Sequence, residues 1–433
     1  MNIVMFTNVY TPHVGGVERS VVAFAQSYRR QGHRVLVVAP EFPDQPQGEQ
    51  DVVRLPAIQN FNGSDFSVVL PLTGLLTDAL DAFEPDLVHS HHPYLLGSSA
   101  LRIARYRALP LVFTHHTQYE HYTHYVPVDS PALKRYVIEL ATCYANLCDQ
   151  VFAPSESIAG LLRERGVTAP IAVVPTGVEV ERYATGDGRG FRAALGIPDE
   201  AFVVGHVGRL APEKNLEFLA EAVTAFLRAE ARAHFLLAGK GPSEPVIEAV
   251  FARAGLTGRL HRVGILKAER LADAYHAMDV FAFASKSETQ GMVLTEAMAA
   301  GVPVVALDAP GARETVRDGH NGRLLEEETV DAFRAALQWM AGLGQEQRLR
   351  LQQACRETGD AFSMDRCAGK ALTIYRELLD RTVGARLEDD VPWTGLVNLI
   401  QAEWDLLSGK AQALGAALGE GEGPGGDQEG DTP

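Results

Sequence analysis

The chain has 433 residues, of which 46% are hydrophobic, and a formal net charge of -16 at pH 7. This length predicts two domains of roughly 150–200 residues each. The acidic excess argues against nucleic acid as a partner, because nucleic-acid-binding surfaces need clustered Lys and Arg. It argues equally against a strongly polybasic membrane anchor.

No uninterrupted apolar run reaches the roughly 18–20 residues that a membrane helix needs. The first residues, MNIVMFTNVYTP, are typical of a strand rather than of a signal peptide, so a cytoplasmic protein is expected. The four cysteines include no C-x-x-C pair, and their spacing predicts neither a zinc site nor a disulfide framework. They are Cys143, Cys148, Cys355 and Cys367.

In the first half of the chain, short apolar runs alternate with amphipathic helical patterns. Continuous apolar runs that end in polar residues are typical of parallel strands covered on both faces. Strands separated by helices predict right-handed βαβ units. The predicted elements are strand 2–7, helix 17–31 and strands 34–40, 86–91, 110–115 and 150–155.

The same alternation restarts after about residue 177, which predicts a second domain of the same α/β class. The hinge is expected near Pro175-Thr176-Gly177. The chain is therefore predicted to form two Rossmann-like domains followed by C-terminal helices. The second series comprises strands 201–208, 234–239, 259–264, 279–285 and 303–307, and helices 215–230, 243–254, 268–277 and 291–300.

These patterns divide the chain into five segments. Residues 1–176 and 177–362 are the two Rossmann-like domains, and 363–383 is a C-terminal helix. Residues 384–414 form an amphipathic helical extension that is expected to pack on the body, with a membrane-surface contact as the alternative. Residues 415–433 are rich in Gly and acidic residues and are predicted to be a disordered tail.

Two glycines follow the first predicted strand and open a helix, at Gly15 and Gly16. Glycine lets backbone approach a ligand closely, and a helix N-terminus attracts anions. A tight strand-to-helix turn explains the pair equally well.

Two loops of the second half are predicted at the same sheet edge. Arg209 and Lys214 follow strand 201–208, where cations beside a helix N-terminus suit a diphosphate. The alternative is a pair of surface charges that cap a helix. Gly239 and Gly241 follow the next strand, and their missing side chains leave room for a ligand.

The sharpest signal is a pair of glutamates with seven residues between them, Glu288 and Glu296. Between them, Gln290, Gly291 and Met292 open a predicted helix and expose backbone N–H groups. Glu288 can bind the hydroxyls of a sugar, these N–H groups a phosphate, and Glu296 a ribose. Two solvated glutamates are the alternative.

Histidines gather at the ends of two predicted strands in the first half. A metal site, simple cleft polarity and an acceptor site are the competing interpretations. An aromatic loop, 116–125, follows the second group. The residues are His89, His91, His92, His115 and His116, with Tyr119 and Tyr122 in the loop.

These motifs resemble retaining glycosyltransferase family 4, whose GT-B fold has two facing Rossmann-like domains and an interdomain cleft. The resemblance spans about residues 1–383. It rests on the glutamate pair, on Gly-Arg-Leu…Glu-Lys-Asn at 208–215 and on Gly-Lys-Gly-Pro at 239–242. It implies that the first domain binds an acceptor and the second a nucleotide-sugar donor. It also implies that helix 363–383 crosses back to the first domain.

The resemblance also assigns roles to residues. His116 and Glu288 would be catalytic. The run 116–122, His-Thr-x-Tyr-Glu-x-Tyr, together with 288–291, is most similar to diacylglycerol glucosyltransferases, so His116, Tyr119 and Tyr122 would bind the acceptor. Donor binding would fall to Gly16, Arg209, Lys214, Gly239, Gly241, Glu288, Gln290, Gly291, Met292 and Glu296.

The implied reaction moves a hexose, glucose from UDP-glucose, to an acceptor hydroxyl with retention at the anomeric carbon. Diacylglycerol is the implied acceptor, with peripheral contact at the inner face of the membrane; a soluble sugar or polyol is the alternative acceptor. Because Arg209, Lys214 and helix N-termini can balance the diphosphate charge, no metal or other cofactor is expected. A sugar-nucleotide epimerase and a non-catalytic sugar-nucleotide sensor are the competing functions.

Overall fold

A computed structural model describes most of the chain, and the architecture below refers to that part. The predicted tail 419–433 and the acceptor-loop residue Tyr122 lie outside it. The described residues are 1–13, 15–58, 68–69, 73–121, 130–386 and 394–418.

The first half folds into alternating strands and helices, as the sequence predicts. A three-residue 3₁₀ helix, Tyr119–His121, follows β7. The elements are β1 (Asn2–Phe6), α1 (Gly16–Arg30), β2 (Arg34–Pro40), β3 (Val52–Leu55), β4 (Ala57–Ile58), β5 (Val68–Val69), α2 (Thr73–Phe83), β6 (Leu87–Ser90), α3 (Leu96–Tyr106), β7 (Leu111–Thr114), α4 (Pro131–Asn146), β8 (Gln150–Ala153), α5 (Glu156–Glu164) and β9 (Ile171–Val173).

Seven of these strands form one parallel sheet in the order β3-β2-β1-β6-β7-β8-β9, while β4 and β5 pair separately and antiparallel. Strands β6, β7 and β8 are buried along their whole length, because helices cover both faces of the sheet. Strands β6 and β7 are neighbours, with His89 opposite Val112. Their carboxyl ends therefore bring the two histidine groups to one edge.

The second half repeats the pattern after two short helices. A 3₁₀ helix, Pro212–Lys214, precedes α8, and another, Thr257–Arg259, precedes β12. The elements are α6 (Val180–Tyr183), α7 (Gly188–Ala194), β10 (Phe202–Val207), α8 (Leu216–Ala229), β11 (Ala233–Ala238), α9 (Glu244–Ala254), β12 (Leu260–Gly264), α10 (Ala268–His276), β13 (Val280–Phe283), α11 (Met292–Ala299), β14 (Val304–Leu307), β15 (Gly322–Leu325), α12 (Val330–Ala341), α13 (Gln345–Ala361), α14 (Met364–Arg386) and α15 (Thr394–Leu418).

The second sheet has six parallel strands in the order β12-β11-β10-β13-β14-β15. The strand order reverses between β10 and β13, and ligands of open α/β sheets bind at such a switch point. The loops after β10, β11 and β13 carry the predicted donor motifs. The predicted α/β architecture of two Rossmann-like domains with C-terminal helices is confirmed.

The chain passes between the two domains twice, at Thr176–Val178 and at Ser363. Val178 and Ser363 form a β-bridge, and the Val178 N–H donates to Phe362 C=O at 2.8 Å. A Cβ at Gly177 would lie 2.2 Å from Met364 Cα, so only glycine lets the two crossings touch. The predicted boundary between segments 177–362 and 363–383 falls at the second crossing.

Helix α14 packs against α1 of the first domain. The Tyr28 and Tyr375 hydroxyls are 3.2 Å apart, and both side chains are fully buried. Helix α15 packs against α3 and α4, where Ala402 and Leu406 join the core of the first sheet. The predicted packing of this helix on the body is confirmed. The helix continues to Leu418, so residues 415–418, predicted to be disordered, are helical.

Candidate active site

The predicted donor residues lie on loops at the carboxyl edge of the second sheet. Lys214 Nζ is 2.6 Å from Glu288 Oε1, so the loop after β10 and the loop after β13 meet through an ion pair. Both side chains are 17% exposed. Arg209 pairs with Glu213 and stays 45% exposed, which leaves a cation at the mouth of the site.

The two glycines after β11 have a packing role. A Cβ at Gly239 would lie 1.8 Å from the Gly208 carbonyl oxygen, and one at Gly241 would lie 2.3 Å from that of Leu210. Their φ angles are +138° and +156°, which disfavour any side chain. These glycines therefore let the loop after β11 press against the loop that carries Arg209.

Helix α11 begins beside Glu288. Gly291 precedes it in the left-handed conformation, with φ +73°, and Met292 is its first residue. Beneath the turn, a Cβ at Gly311 would lie 2.9 Å from Glu288 Cβ. Backbone contact with Gly311 thus fixes the loop, and the N-terminal N–H groups of α11 can meet an anion.

The Gln290 side chain binds the hinge. Its amide donates to Thr176 C=O at 2.6 Å and accepts from Thr176 N–H at 2.7 Å. The Thr176 hydroxyl lies 2.7 Å from that of Ser20 on α1. The donor loop, the hinge and the first domain are therefore joined by buried hydrogen bonds.

Glu296 is 3% exposed and is already paired with protein groups. One carboxylate oxygen accepts from Arg19 of the first domain, and the other accepts from the Tyr275 hydroxyl at 2.8 Å. The Glu296 carboxylate raises the pKa of Arg19, which holds its charge. A ribose at Glu296 would therefore meet a carboxylate that Arg19 and Tyr275 already hold in place, a feature that the sequence does not reveal.

The histidines form a row in which His89, His91, His92 and His115 are buried and His116 is half-buried. His89 Nδ1 lies 2.6 Å from the Tyr375 hydroxyl of α14, and its Nε2 lies 2.7 Å from Thr114 Oγ1. His91 Nδ1 lies 2.8 Å from His116 Nε2, and the two rings stack. A ring hydrogen-bonded to another imidazole keeps a fixed orientation.

Burial makes these histidines weak bases. Desolvation lowers the pKa of His116 to about 3, and it lowers the pKa of His91 well below its usual value. Burial is also the main reason why His89, His92 and His115 each have a pKa lowered to about 3. A smaller contribution comes from His116 in each case, and for His115 from Arg165 as well. At neutral pH the row is therefore uncharged and can only donate and accept hydrogen bonds.

Residues predicted for the acceptor side and the donor side meet at one contact. The Thr289 hydroxyl, next to Glu288, donates to His116 C=O at 2.9 Å. Tyr119 lies three residues beyond His116, and its ring is 5.6 Å from that of His115. Gly16 lies at the N-terminus of α1 with open space where a side chain would stand.

Sequence reasoning missed His206 as well as Arg19. His206 lies on β10, and its Nδ1 is 3.0 Å from Ala282 C=O, while its buried Nε2 has no partner among the described residues. Burial lowers its pKa to about 4, with Lys214 and Glu288 as nearby charges. Only its place one residue before the strand end could have signalled a role at this edge.

Within the described ranges, no group of three or more His, Cys, Asp or Glu could hold a metal ion. Ring nitrogens of His89, His91 and His116 pair with each other or with hydroxyls, so these three histidines fit hydrogen bonding.

Comparison with known proteins finds two family matches that together span both domains. Residues 14–182 match Glycosyltransferase Family 4, and residues 201–342 match Glycosyl transferases group 1. An alpha-monoglucosyldiacylglycerol synthase of Acholeplasma laidlawii is 28% identical, over 74% of this chain and 84% of its own length. A GDP-mannose-dependent alpha-mannosyltransferase of Mycobacterium tuberculosis is 31% identical, over 75% of this chain and 84% of its own.

Solved structures share the fold. The Anabaena protein HepE in complex with UDP superposes with a TM-score of 0.70 at 23% identity, covering 87% of this chain and 100% of its own. A sucrose-phosphate synthase of Thermosynechococcus elongatus gives 0.69 at 21% identity, covering 88% and 99%. These matches point to the same family as the glutamate pair and the two loops at the sheet edge. The chain belongs to glycosyltransferase family 4 with the GT-B fold.

Proposed function

We propose that this glycosyltransferase moves glucose from UDP-glucose, with retention, to a hydroxyl of a diacylglycerol-like lipid. The observation that carries the proposal is the contact between Thr289 and His116. It joins the loop of Glu288, on the donor side, to the histidine edge of the first domain. A sugar held at Glu288 therefore faces an acceptor held beside His116.

The second domain offers the charges that a donor diphosphate needs. Arg209 and Lys214 supply two cations, and α11 supplies N-terminal N–H groups. Positioned donors of this kind stabilise the negative charge of the leaving diphosphate. We infer that transfer needs no divalent metal ion.

Retention fits a site in which the leaving phosphate helps to take the acceptor proton. His116 is too weak a base at neutral pH to remove that proton itself, because burial keeps its ring neutral. Its role is then to orient the attacking hydroxyl by a hydrogen bond. Glu288, held by Lys214, orients the sugar.

A lipid acceptor is favoured by the relatives named for glucosyldiacylglycerol synthesis and by helix α15. Its buried face packs on α3 and α4, while its other face carries a stripe of large apolar side chains. Trp404 is 67% exposed, and an indole ring suits the boundary between water and lipid. The stripe, Ile400, Trp404, Leu407 and Leu414, would rest on the membrane surface. No described helix is both long and apolar enough to cross a membrane.

A second candidate is mannosyl transfer from GDP-mannose. It is favoured by the GDP-mannose-dependent relatives at 31% identity, which is higher than that of the glucosyldiacylglycerol synthases. The acceptor-side geometry is the same for both candidates, so only the donor distinguishes them.

The test offers radiolabelled UDP-glucose or GDP-mannose with mixed diacylglycerol micelles or with soluble sugars and polyols. Label from UDP-glucose in the organic phase supports the proposal, and label from GDP-mannose there supports the second candidate. His116→Ala should reduce transfer roughly a hundredfold, as expected when the group that orients the attacking hydroxyl is lost, with UDP affinity kept. His320→Ala, an exposed site, is the control. Transfer only to soluble acceptors would contradict the lipid assignment, and no transfer at all would favour a sensor.

A further inference from the structure

A cavity of about 200 Å³ lies between α3, α4 and α15, away from the donor loops. Its walls are mostly apolar or aromatic, and Leu140, Tyr144 and Leu147 form the α4 side. Leu406 of α15 closes it from the opposite side. It exceeds the engineered apolar cavities of roughly 150 Å³ that bind benzene, so it has room for a piece of hydrocarbon chain.

One end of the cavity leads toward the histidine edge. Tyr94 lines the cavity, and its ring is 5.6 Å from the ring of Tyr119 and 6.1 Å from that of His92. The Tyr119 hydroxyl is buried and has no hydrogen-bond partner among the described residues. A polar group that is buried and unpaired costs free energy, so a ligand hydroxyl or ester at this end would satisfy it.

The α15 side of the cavity lies next to the apolar stripe of that helix. Asp405, Gly409 and Lys410 line this side of the cavity, and they share the helix with Trp404 and Leu407. Gly409 lets α15 lie close to α4, since a Cβ there would be 3.1 Å from Cys143 Cβ. The cavity thus connects a surface suited to lipid with the edge where transfer is proposed.

We propose that this cavity binds one acyl chain of the lipid acceptor. The chain enters from the membrane beside the α15 stripe, and the glycerol end reaches Tyr119 and His116. This inference rests on the proposed lipid acceptor. It adds a binding site for hydrocarbon in the first domain, at residues that neither the motifs nor the family matches assign.

The test measures kcat/KM for dihexanoylglycerol and dioleoylglycerol in mixed micelles with UDP-glucose. Leu140→Trp fills the cavity from α4 and should lower kcat/KM for the oleoyl lipid roughly tenfold more than for the hexanoyl lipid, because about two methylene groups lose their burial. Leu349→Trp, the same change at an exposed leucine, is the control and should keep the wild-type ratio. An unchanged chain-length ratio in a folded Leu140→Trp would overturn the acyl site.

A second measurement needs no variant. A diacylglycerol with a diazirine on one acyl chain is photolysed with the wild-type protein, and its adducts are mapped by mass spectrometry. Adducts on α4 between Leu140 and Leu147, or on α15 between Asp405 and Lys410, are expected. Adducts confined to other peptides would overturn the site. If the wild type glucosylates neither diacylglycerol, the proposed function fails, and the adduct map alone decides whether the cavity binds acyl chains.

Discussion

The buried histidines make the stability of this protein sensitive to acid. His115 is the clearest case, because both its ring nitrogens are buried and have no hydrogen-bond partner among the described residues. Burial lowers its pKa to about 3, whereas the unfolded chain titrates near 6.5. Below pH 6.5 the unfolded state therefore binds a proton that the folded state does not, and stability falls as pH falls toward 3.

We predict that His115→Phe stabilises the protein against acid. The variant removes two unpaired nitrogens and a group whose pKa is lowered on folding. That group decreases the free energy of unfolding by up to about 1.4 kcal/mol for each pH unit below 6.5. Chemical denaturation at pH 7 and pH 5 should show a smaller loss of unfolding free energy than in the wild type. The exposed His320→Gln should lose as much as the wild type. An equal loss in His115→Phe would show that this ring is not buried and neutral.

In the proposed donor site, Lys214 is the cation that lies beside Glu288. Lys214→Ala removes one cation from the diphosphate and should weaken UDP binding about tenfold or more, since a charge-assisted hydrogen bond contributes about 1.5–3 kcal/mol. Calorimetric titration with UDP measures the change. Lys370→Ala removes an exposed lysine of α14 and serves as the control. Wild-type affinity in Lys214→Ala would place the diphosphate elsewhere.

Among the elements, the loops after β10 and β11 are held against each other by close backbone contact. Gly239→Ala would force a methyl group against the Gly208 carbonyl and hold alanine at φ +138°. The strained backbone alone costs about 1–3 kcal/mol, so thermal unfolding should shift clearly downward. Gly258→Ala adds a methyl group in open space and should stay within about 0.5 kcal/mol of the wild type. Equal stability of the two variants would mean that the loops do not touch.

The central strands and the helices around them could be predicted from the sequence, because β13 is a continuous apolar run and β6, β7 and β10 each begin with consecutive apolar residues. The edge strands β3 and β15 could not, although the edge strand β12 matches the predicted strand 259–264. Strand β3 is largely half-buried, and β15 begins with Gly322 and Arg323, so neither presents a clear apolar run. Such strands are defined by their neighbours in the sheet rather than by their own residues.

Site residues that are close in sequence can be recognised as a motif, whereas contacts between distant positions cannot. Glu288 and Glu296 are close in sequence, so their spacing is visible as a motif. Arg19 reaches Glu296 across 277 positions, and no local pattern encodes that contact. The apolar face of α15 was visible as periodicity, but which side packs on α3 and α4 depends on the tertiary fold.

At the scale of the whole molecule, side-chain contacts from both domains hold the cleft together. Arg19 binds Glu296, and the Ser157 N–H at the start of α5 donates to the Glu314 carboxylate at 2.9 Å. Both of these contacts are polar, so relative motion of the domains is expected.

We predict that Arg19→Ala loosens the donor-free protein by removing an ion pair between the domains. Small-angle X-ray scattering should give a larger radius of gyration than for the wild type, and saturating UDP should reverse the increase. Arg30→Ala is a matched control on the same helix, because Arg30 pairs with Asp365 of α14, which packs on the first domain. An Arg19→Ala profile that superposes on the wild type would show that this pair does not restrain the cleft.

The proposed reaction transfers glucose with retention at a site that needs no metal ion. The most direct measurement is the proton NMR spectrum of the glycolipid formed from UDP-α-glucose and diacylglycerol in the presence of EDTA. Front-face attack, guided by Glu288 and His116, predicts a product whose anomeric proton is that of an α-glucoside. A β-glucoside, or product that forms only when Mg²⁺ or Mn²⁺ is restored, would contradict the account.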